Sequence, residues 1–338
     1  MGIEHIVAVG AGRMGRGIAH VMAYAGFEVT MLDMKVRSAE SRKSLREAAL
    51  GEVETNLKTL ATLNLMAPDD LVTILSRIRF AGPDQAAEVL AKADAIFEGV
   101  PEIMDLKATS LKEISQLSQD AIIASTTSTF DANELATYVD YPERFANAHW
   151  LNPAFLIPVV EVSPADATSE ATLQSLMNLL RRAGKMPVAC KPSPGFIVPR
   201  IQALAMNEAA RLVEDGVATP ADIDIATRYG FGVRFAILGL LEFIDYGGGD
   251  ILHYASRYLS NALPSERHVA PDIVNQMMDR QERGLRDGKG FYDYTNMDVD
   301  AYQRETLTKL VDLLAHLNLV PKPHSATVDS TSQSDSSD

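Results

Sequence analysis

Apolar positions in the first half of the chain fall into short continuous runs separated by amphipathic stretches. Ile3 to Val9, Phe27 to Leu32, Arg77 to Ala81, Ala95 to Val100, Ala121 to Ala124 and Phe145 to Trp150 have strand length, and an apolar run without alternation fits a strand covered on both faces. The stretches between them have helical spacing: Ile18 to Tyr24, Ser38 to Leu63, Asp69 to Arg77, Asp84 to Ala91, Ile103 to Leu117 and Asp131 to Tyr138. Such alternation predicts an α/β fold with a doubly wound parallel sheet, whose ligands bind at the carboxyl ends of the strands. The segment from 38 to 77 is too long for a plain crossover and predicts a helical hairpin inserted into the sheet domain. Ile157 to Val162 and Lys185 to Cys190 read as two more strands around a helix over 167–183.

The pattern then changes. After Pro192-Ser193-Pro194-Gly195 the chain is helical: Ile197 to Glu214 is long and apolar, Asp215-Gly216 stops it, and Thr219-Pro220 restarts a helix. Phe235 to Tyr246 is nearly all apolar and is expected to be buried, in a core or a subunit interface. Gly288 to Tyr292 is a compact turn, and Asp300 to Leu317 is a closing helix. Three regions follow: a Rossmann-type sheet domain over 1–190, an all-α domain over 191–321, and a polar, Ser-rich tail over 322–338 expected to be disordered.

The first strand runs into Gly10-Ala11-Gly12-Arg13-Met14-Gly15, then a helix, a second strand and Asp33. Gly10 permits the tight turn, Gly12 lets a pyrophosphate approach the backbone, and Gly15 lets helix and sheet pack closely. With Arg13 and Met14 they put free N–H groups at a helix N-terminus, a site for phosphate. Asp33 can accept from both ribose hydroxyls and would repel a 2′-phosphate, which favours NAD over NADP; Lys35 and Arg37 lie close by.

Composition narrows the partners. The 338 residues carry a net charge of −14, which argues against nucleic acid or an anionic membrane as the main partner and for a small-molecule substrate. The single cysteine, Cys190, excludes an intrachain disulfide, and without a signal-peptide pattern a cytoplasmic location is expected. No apolar run reaches the ~18 residues needed to span a bilayer, and no metal site is expected.

Two further features point to chemistry. Ser125 to Thr129 is a hydroxyl cluster at the end of a strand, where some members act as helix caps. Glu161 sits between Val160 and Val162, and a carboxylate in such a run is costly unless paired. His149, twelve residues earlier across a reversal at Asn152-Pro153, is its natural partner. A neutral imidazole held by a carboxylate can take the proton of a secondary alcohol as hydride leaves.

Taken together, Gly10 to Gly15, Val100-Pro101-Glu102, Ser125 to Thr129, His149 to Pro153, Glu161, Pro194 to Val198 and Gly288 to Tyr292 resemble the L-3-hydroxyacyl-CoA dehydrogenase family over residues 3–319. The resemblance implies a Rossmann domain followed by a helical domain that builds a homodimer. It implies that His149 is the catalytic base, held by Glu161, and that Ser128 contacts the substrate oxygen beside the nicotinamide. Glu102, Lys107 and Asn152 would contact the cofactor, and Arg286 stands where the family has a cofactor-side lysine.

The chain departs from the family in two places. Pro199 replaces a substrate-side asparagine, and Arg234 precedes a segment in which the family's Gly-Pro-Phe is missing. The second departure looks more like relatives acting on free hydroxy acids, such as gulonate or carnitine dehydrogenases and lambda-crystallin. Arg200 and Arg234 could clamp a carboxylate or simply pair with nearby acids. Lys58, on the hairpin, could touch the substrate or belong to a solvated face. The expected activity is NAD-dependent interconversion of a short-chain L-3-hydroxyacyl-CoA and its 3-oxo form. The alternatives are dehydrogenation of a free 3-hydroxy acid, or a non-catalytic nucleotide-binding protein.

Overall fold

In a computed structural model, which describes residues 3–263 and 265–320, eight strands form one sheet in the order β3-β2-β1-β4-β5-β6-β7-β8. They are β1 (His5–Val9), β2 (Glu28–Leu32), β3 (Ile78–Ala81), β4 (Ala95–Glu98), β5 (Ile122–Ser125), β6 (Phe145–Trp150), β7 (Val159–Pro164) and β8 (Met186–Ala189). Neighbours are parallel except β6 and β7, which are antiparallel, as the reversal after Trp150 requires. Helices α1 (Arg13–Tyr24), α2 (Ala39–Thr62), α3 (Asp70–Ser76), α4 (Ala86–Ala91), α5 (Met104–Leu117), α6 (Ala132–Ala136) and α7 (Glu170–Arg182) complete this layer structure. Two apolar cores lie on its two faces. One contains Ile18 and Met22 of α1 and Val53 and Leu57 of α2; the other contains Leu90, Leu111, Ile114 and Leu135. Coverage on both sides is the reason that the strands read as unbroken apolar runs.

The insertion over 38–77 is the expected helical pair, α2 and α3. Ser38 caps α2 by accepting from the Ser41 N–H at 3.1 Å. Strand β7 begins two residues later than the apolar run suggests. The carbonyls of Ala154 and Ile157 accept from Lys185 Nζ instead of entering the ladder, and Pro158 has no N–H to give.

The chain divides into two compact units, Met1–Asn207 and Glu208–Asp338. The division falls within α8 (Val198–Glu214), whose first turn is tied to the first unit. The second unit contains α9 (Pro220–Ile225), a π-helical segment over Ala226–Gly232, α10 (Val233–Phe235), α11 (Leu240–Gly247), α12 (Gly249–Ala262), α13 (Asp272–Asp279) and α14 (Val299–His316). Thr219 caps α9 with Pro220 in its first turn.

The apolar stretch over 235–246 is not one buried helix. It breaks between Phe235 and Leu240, where Glu242 accepts from the Gly239 N–H at 3.2 Å and starts a new helix. Leu241 is exposed, and the one buried residue of α11 is Asp245. That carboxylate accepts from the Phe291 and Tyr292 N–H groups at 3.0 and 2.9 Å and from the Tyr294 hydroxyl at 3.1 Å. The Gly288 to Tyr292 turn is therefore held by two backbone hydrogen bonds to one buried acid, with a third from Tyr294 just beyond it. The tail over 322–338 lies outside the described residues.

Candidate active site

Strand order reverses between β1 and β4, and the crevice at such a point takes the ligand in doubly wound folds. A cleft of 740 Å³ opens there, lined by the turn from Gly10 to Met14, by Asp33 to Lys35 and Arg37, by Val100 to Glu102, and by Ser128, His149, Trp150 and Asn152. The turn has the shape a dinucleotide needs. Gly10 has φ +97°, and a Cβ on Gly15 would lie 1.7 Å from the Gly10 carbonyl oxygen. A Cβ on Gly12 would meet nothing within 4 Å, so the space beside that backbone is open to a phosphate. Gly12 is also the N-cap of α1 and has no side chain to cap it, which leaves first-turn N–H groups for an anion.

Asp33 ends β2 and is buried, but it is not free: Arg37 Nε donates to its Oδ2 at 2.7 Å. Arg16 is occupied by the Ala11 carbonyl and by Glu52.

Opposite the turn, β6 and β7 pair in the register that sets His149 against Glu161. Both side chains are buried, and His149 Nδ1–H donates to Glu161 Oε2 at 2.8 Å. Because the carboxylate only accepts, Nδ1 carries a proton, and in the neutral imidazole Nε2 then keeps its lone pair. The second oxygen of Glu161 accepts from the Ile197 and Val198 N–H groups at 2.9 and 2.7 Å. These donors are at the start of α8, so the helix end itself holds the carboxylate. Phe196 stacks on the imidazole, with centroids 5.3 Å apart. Its φ of +46° costs roughly 1–2 kcal/mol, a strain spent on turning the 197 and 198 N–H groups toward Glu161. Pro199, in the first turn of α8, fits where no helical hydrogen bond is lost.

Glu102 gathers the hydroxyl cluster. Its Oε1 accepts from the Ser128 and Thr129 N–H groups, each at 3.0 Å, and from the hydroxyls of Thr127 and Thr129. Burial alone would raise this carboxyl, but the hydroxyls of Thr127 and Thr129, the Lys107 charge and the Ser128 N–H outweigh it and hold it below its usual value. The cap of α6 is Asp131, which accepts from the Asn133 N–H, so the cluster is free to shape the cleft rim.

Five residues expected at the site make other contacts. Lys107 does not line the cleft: it is wholly buried and pairs with both oxygens of Glu98 at 3.1 and 3.2 Å. Lys58 pairs with Glu54 on an exposed helix face, 2.6 Å apart. Arg234 donates to the Gly230 carbonyl and lies over the Phe243 ring. Arg286 pairs with Asp250 at 2.6 Å within the second unit. Arg200 is exposed, with Nη1 3.3 Å from Ser193 Oγ. The Glu98–Lys107 pair escaped the sequence reading although Glu98 carries the signal that exposed Glu161, an acid ending an apolar strand.

The turn, the cleft and the His149–Glu161 pair define an NAD-dependent oxidoreductase. Residues 5–193 match the 3-hydroxyacyl-CoA dehydrogenase NAD binding domain and residues 195–294 its C-terminal domain. The chain belongs to the 3-hydroxyacyl-CoA dehydrogenase family. It is 33% identical over 311 residues to 5-formyl-3-hydroxy-2-methylpyridine 4-carboxylate 5-dehydrogenase of Mesorhizobium japonicum, covering 91% of this chain and 96% of that one. It is 32% identical over 296 residues to human mitochondrial hydroxyacyl-coenzyme A dehydrogenase, covering 86% and 91%. Among solved structures, the 3-hydroxyacyl-CoA dehydrogenase of Archaeoglobus fulgidus superposes with a TM-score of 0.74 at 29% identity, covering 94% of this chain and all of that one.

When bound, NAD supplies the hydride acceptor. The chain supplies the rest. His149 lines the cleft, and a neutral imidazole there can accept an alcohol proton during oxidation and return it during reduction. Glu161 fixes the ring by its Nδ1–H, and a carboxylate so placed can stabilise an imidazolium. Both groups are buried, so their interaction is little screened by water.

Proposed function

We propose that this dehydrogenase acts on a small hydroxy or oxo compound bearing a free carboxylate, in preference to a CoA thioester. The observation that carries this reading is the charge of the α2–α3 hairpin, which borders the cofactor cleft through Leu45 and has no excess of base. Over 38–77 it holds Arg42, Lys43, Arg46, Lys58 and Arg77 against Glu40, Glu47, Glu52, Glu54, Asp69 and Asp70. Arg42 pairs with Asp84 and Lys58 with Glu54. A surface with no net basic charge offers little to attract the several phosphates of coenzyme A. The likeness to the pyridine-carboxylate dehydrogenase over nearly the whole of both chains supports the same reading, as does the loss of a side-chain donor at Pro199. Arg200 is the candidate cation on the first unit for the carboxylate. The acyl-CoA reading is the second, favoured by the likeness to the human and archaeal acyl-CoA enzymes.

The NADH absorbance is to be followed side by side, as NADH oxidation with acetoacetate and with acetoacetyl-CoA and as NADH formation from NAD with 5-formyl-3-hydroxy-2-methylpyridine 4-carboxylate. The expected result is a kcat/KM at least about tenfold higher with a free acid than with the thioester, from charge complementarity alone. Faster turnover of acetoacetyl-CoA would reverse the assignment.

We also propose that the chain works as a homodimer. No residue of the 17-residue helix α8 is buried, and it exposes Ile201, Leu204 and Met206. On α12, Ile251, Tyr254 and Tyr258 form an exposed apolar stripe at helical spacing. Faces of this kind mark interfaces. Sedimentation at micromolar concentration is expected to give twice the chain mass; a monomer would contradict the assignment.

A further inference from the structure

We propose that the cofactor cleft accepts NADP(H) as well as NAD(H), with Arg37 and Lys35 receiving the 2′-phosphate beside Asp33. The inference rests on the nucleotide reading of the cleft and goes beyond it.

An acid at the end of β2 excludes a 2′-phosphate when it stands alone, because the phosphate carries roughly two negative charges and the acid's acceptors are matched to ribose hydroxyls. Asp33 does not stand alone. Arg37, four residues on, places Nε 2.7 Å from Asp33 Oδ2, so the carboxylate charge is already neutralised by a residue of the cleft wall. The arginine is not consumed by that contact. Nε is one corner of a planar fork, and among the described residues its terminal nitrogens meet no protein acceptor. Its side chain is 30% exposed. A guanidinium held along one edge by a carboxylate presents its other edge in a fixed orientation, the geometry that binds phosphate bidentately. Lys35 lies between the two, is exposed and lines the same cleft. This corner thus holds one carboxylate against two cations before any ligand arrives. A ribose hydroxyl can still donate to Asp33 Oδ1, so acceptance of NAD is retained.

Trp150 is the single tryptophan and lines the cleft, so its fluorescence reports nucleotide binding without any substrate. Titration of the full chain with NADH and with NADPH is expected to give dissociation constants within about thirtyfold of one another. Arg37→Leu is expected to raise the NADPH constant, relative to that for NADH, by at least about tenfold, the worth of one charge-assisted hydrogen bond pair. Arg37→Lys should recover part of the shift. In the parent protein, 2′,5′-ADP should displace NADH at least as well as 5′-AMP does, which tests the phosphate contact without a variant. NADPH binding more than about thirtyfold weaker than NADH binding, or an unmoved ratio in Arg37→Leu, would overturn the inference and leave the NAD assignment intact. Failure of both nucleotides to bind would overturn the nucleotide reading together with the inference.

Discussion

Replacing His149 by Gln is expected to lower turnover by about three orders of magnitude, within the range of general-base catalysis, while NADH binding persists. Glutamine has comparable reach, and its amide can still donate to Glu161 Oε2, the group that the imidazole Nδ1–H meets at 2.8 Å. The amide has no basic nitrogen to take the alcohol proton. The loss should appear in kcat rather than in the nucleotide affinity, because the phosphate-binding turn lies on α1 and not on β6. The measurement is steady-state turnover with the best substrate of the side-by-side assay, together with an NADH titration. Turnover within about tenfold of the parent would remove His149 from proton transfer.

The second large effect is structural. Lys107→Met is expected to destabilise the protein by about 3–5 kcal/mol, the usual consequence of stripping one partner from a buried ion pair. Glu98 is fully buried at the end of β4 and would remain there with only the Ser125 hydroxyl, 2.6 Å away, and the Val100 N–H, 2.7 Å away. Neither carries charge. The urea midpoint should fall with an unchanged slope, and pairing Lys107→Met with Glu98→Gln should restore most of the loss, since two neutral groups replace an orphaned anion. An unchanged midpoint accompanied by weakened NADH binding would instead return Lys107 to the cofactor site that the family resemblance implies for it.

The contrast between these two residues shows what kind of information sequence carries. Glu161 was legible because an acid inside an apolar run must be paired, and His149 was the available partner. Glu98 obeys the same rule, but its lysine lies on the next helix among other polar residues, and nothing local distinguishes a buried lysine from a solvated one. Lys58 and Arg234 were plausible ligands by charge alone. Their ion pair and carbonyl contact depend on side-chain direction, which spacing does not encode. The break in the stretch over 235–246 was not legible for a related reason: the helix start at Gly239 required the Glu242 side chain to reach back to a backbone N–H.

The sequence by itself determined the parallel sheet, its helical insertion, the phosphate-binding turn and the His149–Glu161 pair. Each rests on periodicity, on a local backbone requirement or on the cost of burying an unpaired charge, and all three are written in neighbouring residues. Only the tertiary structure decided that two N–H groups at the head of α8 hold Glu161, that Phe196 stacks on the His149 ring, and that Arg37 turns back onto Asp33. Those contacts join groups whose meeting depends on how a turn bends and where a side chain points. The free energy that selects them comes from the packing of the whole domain rather than from any one segment.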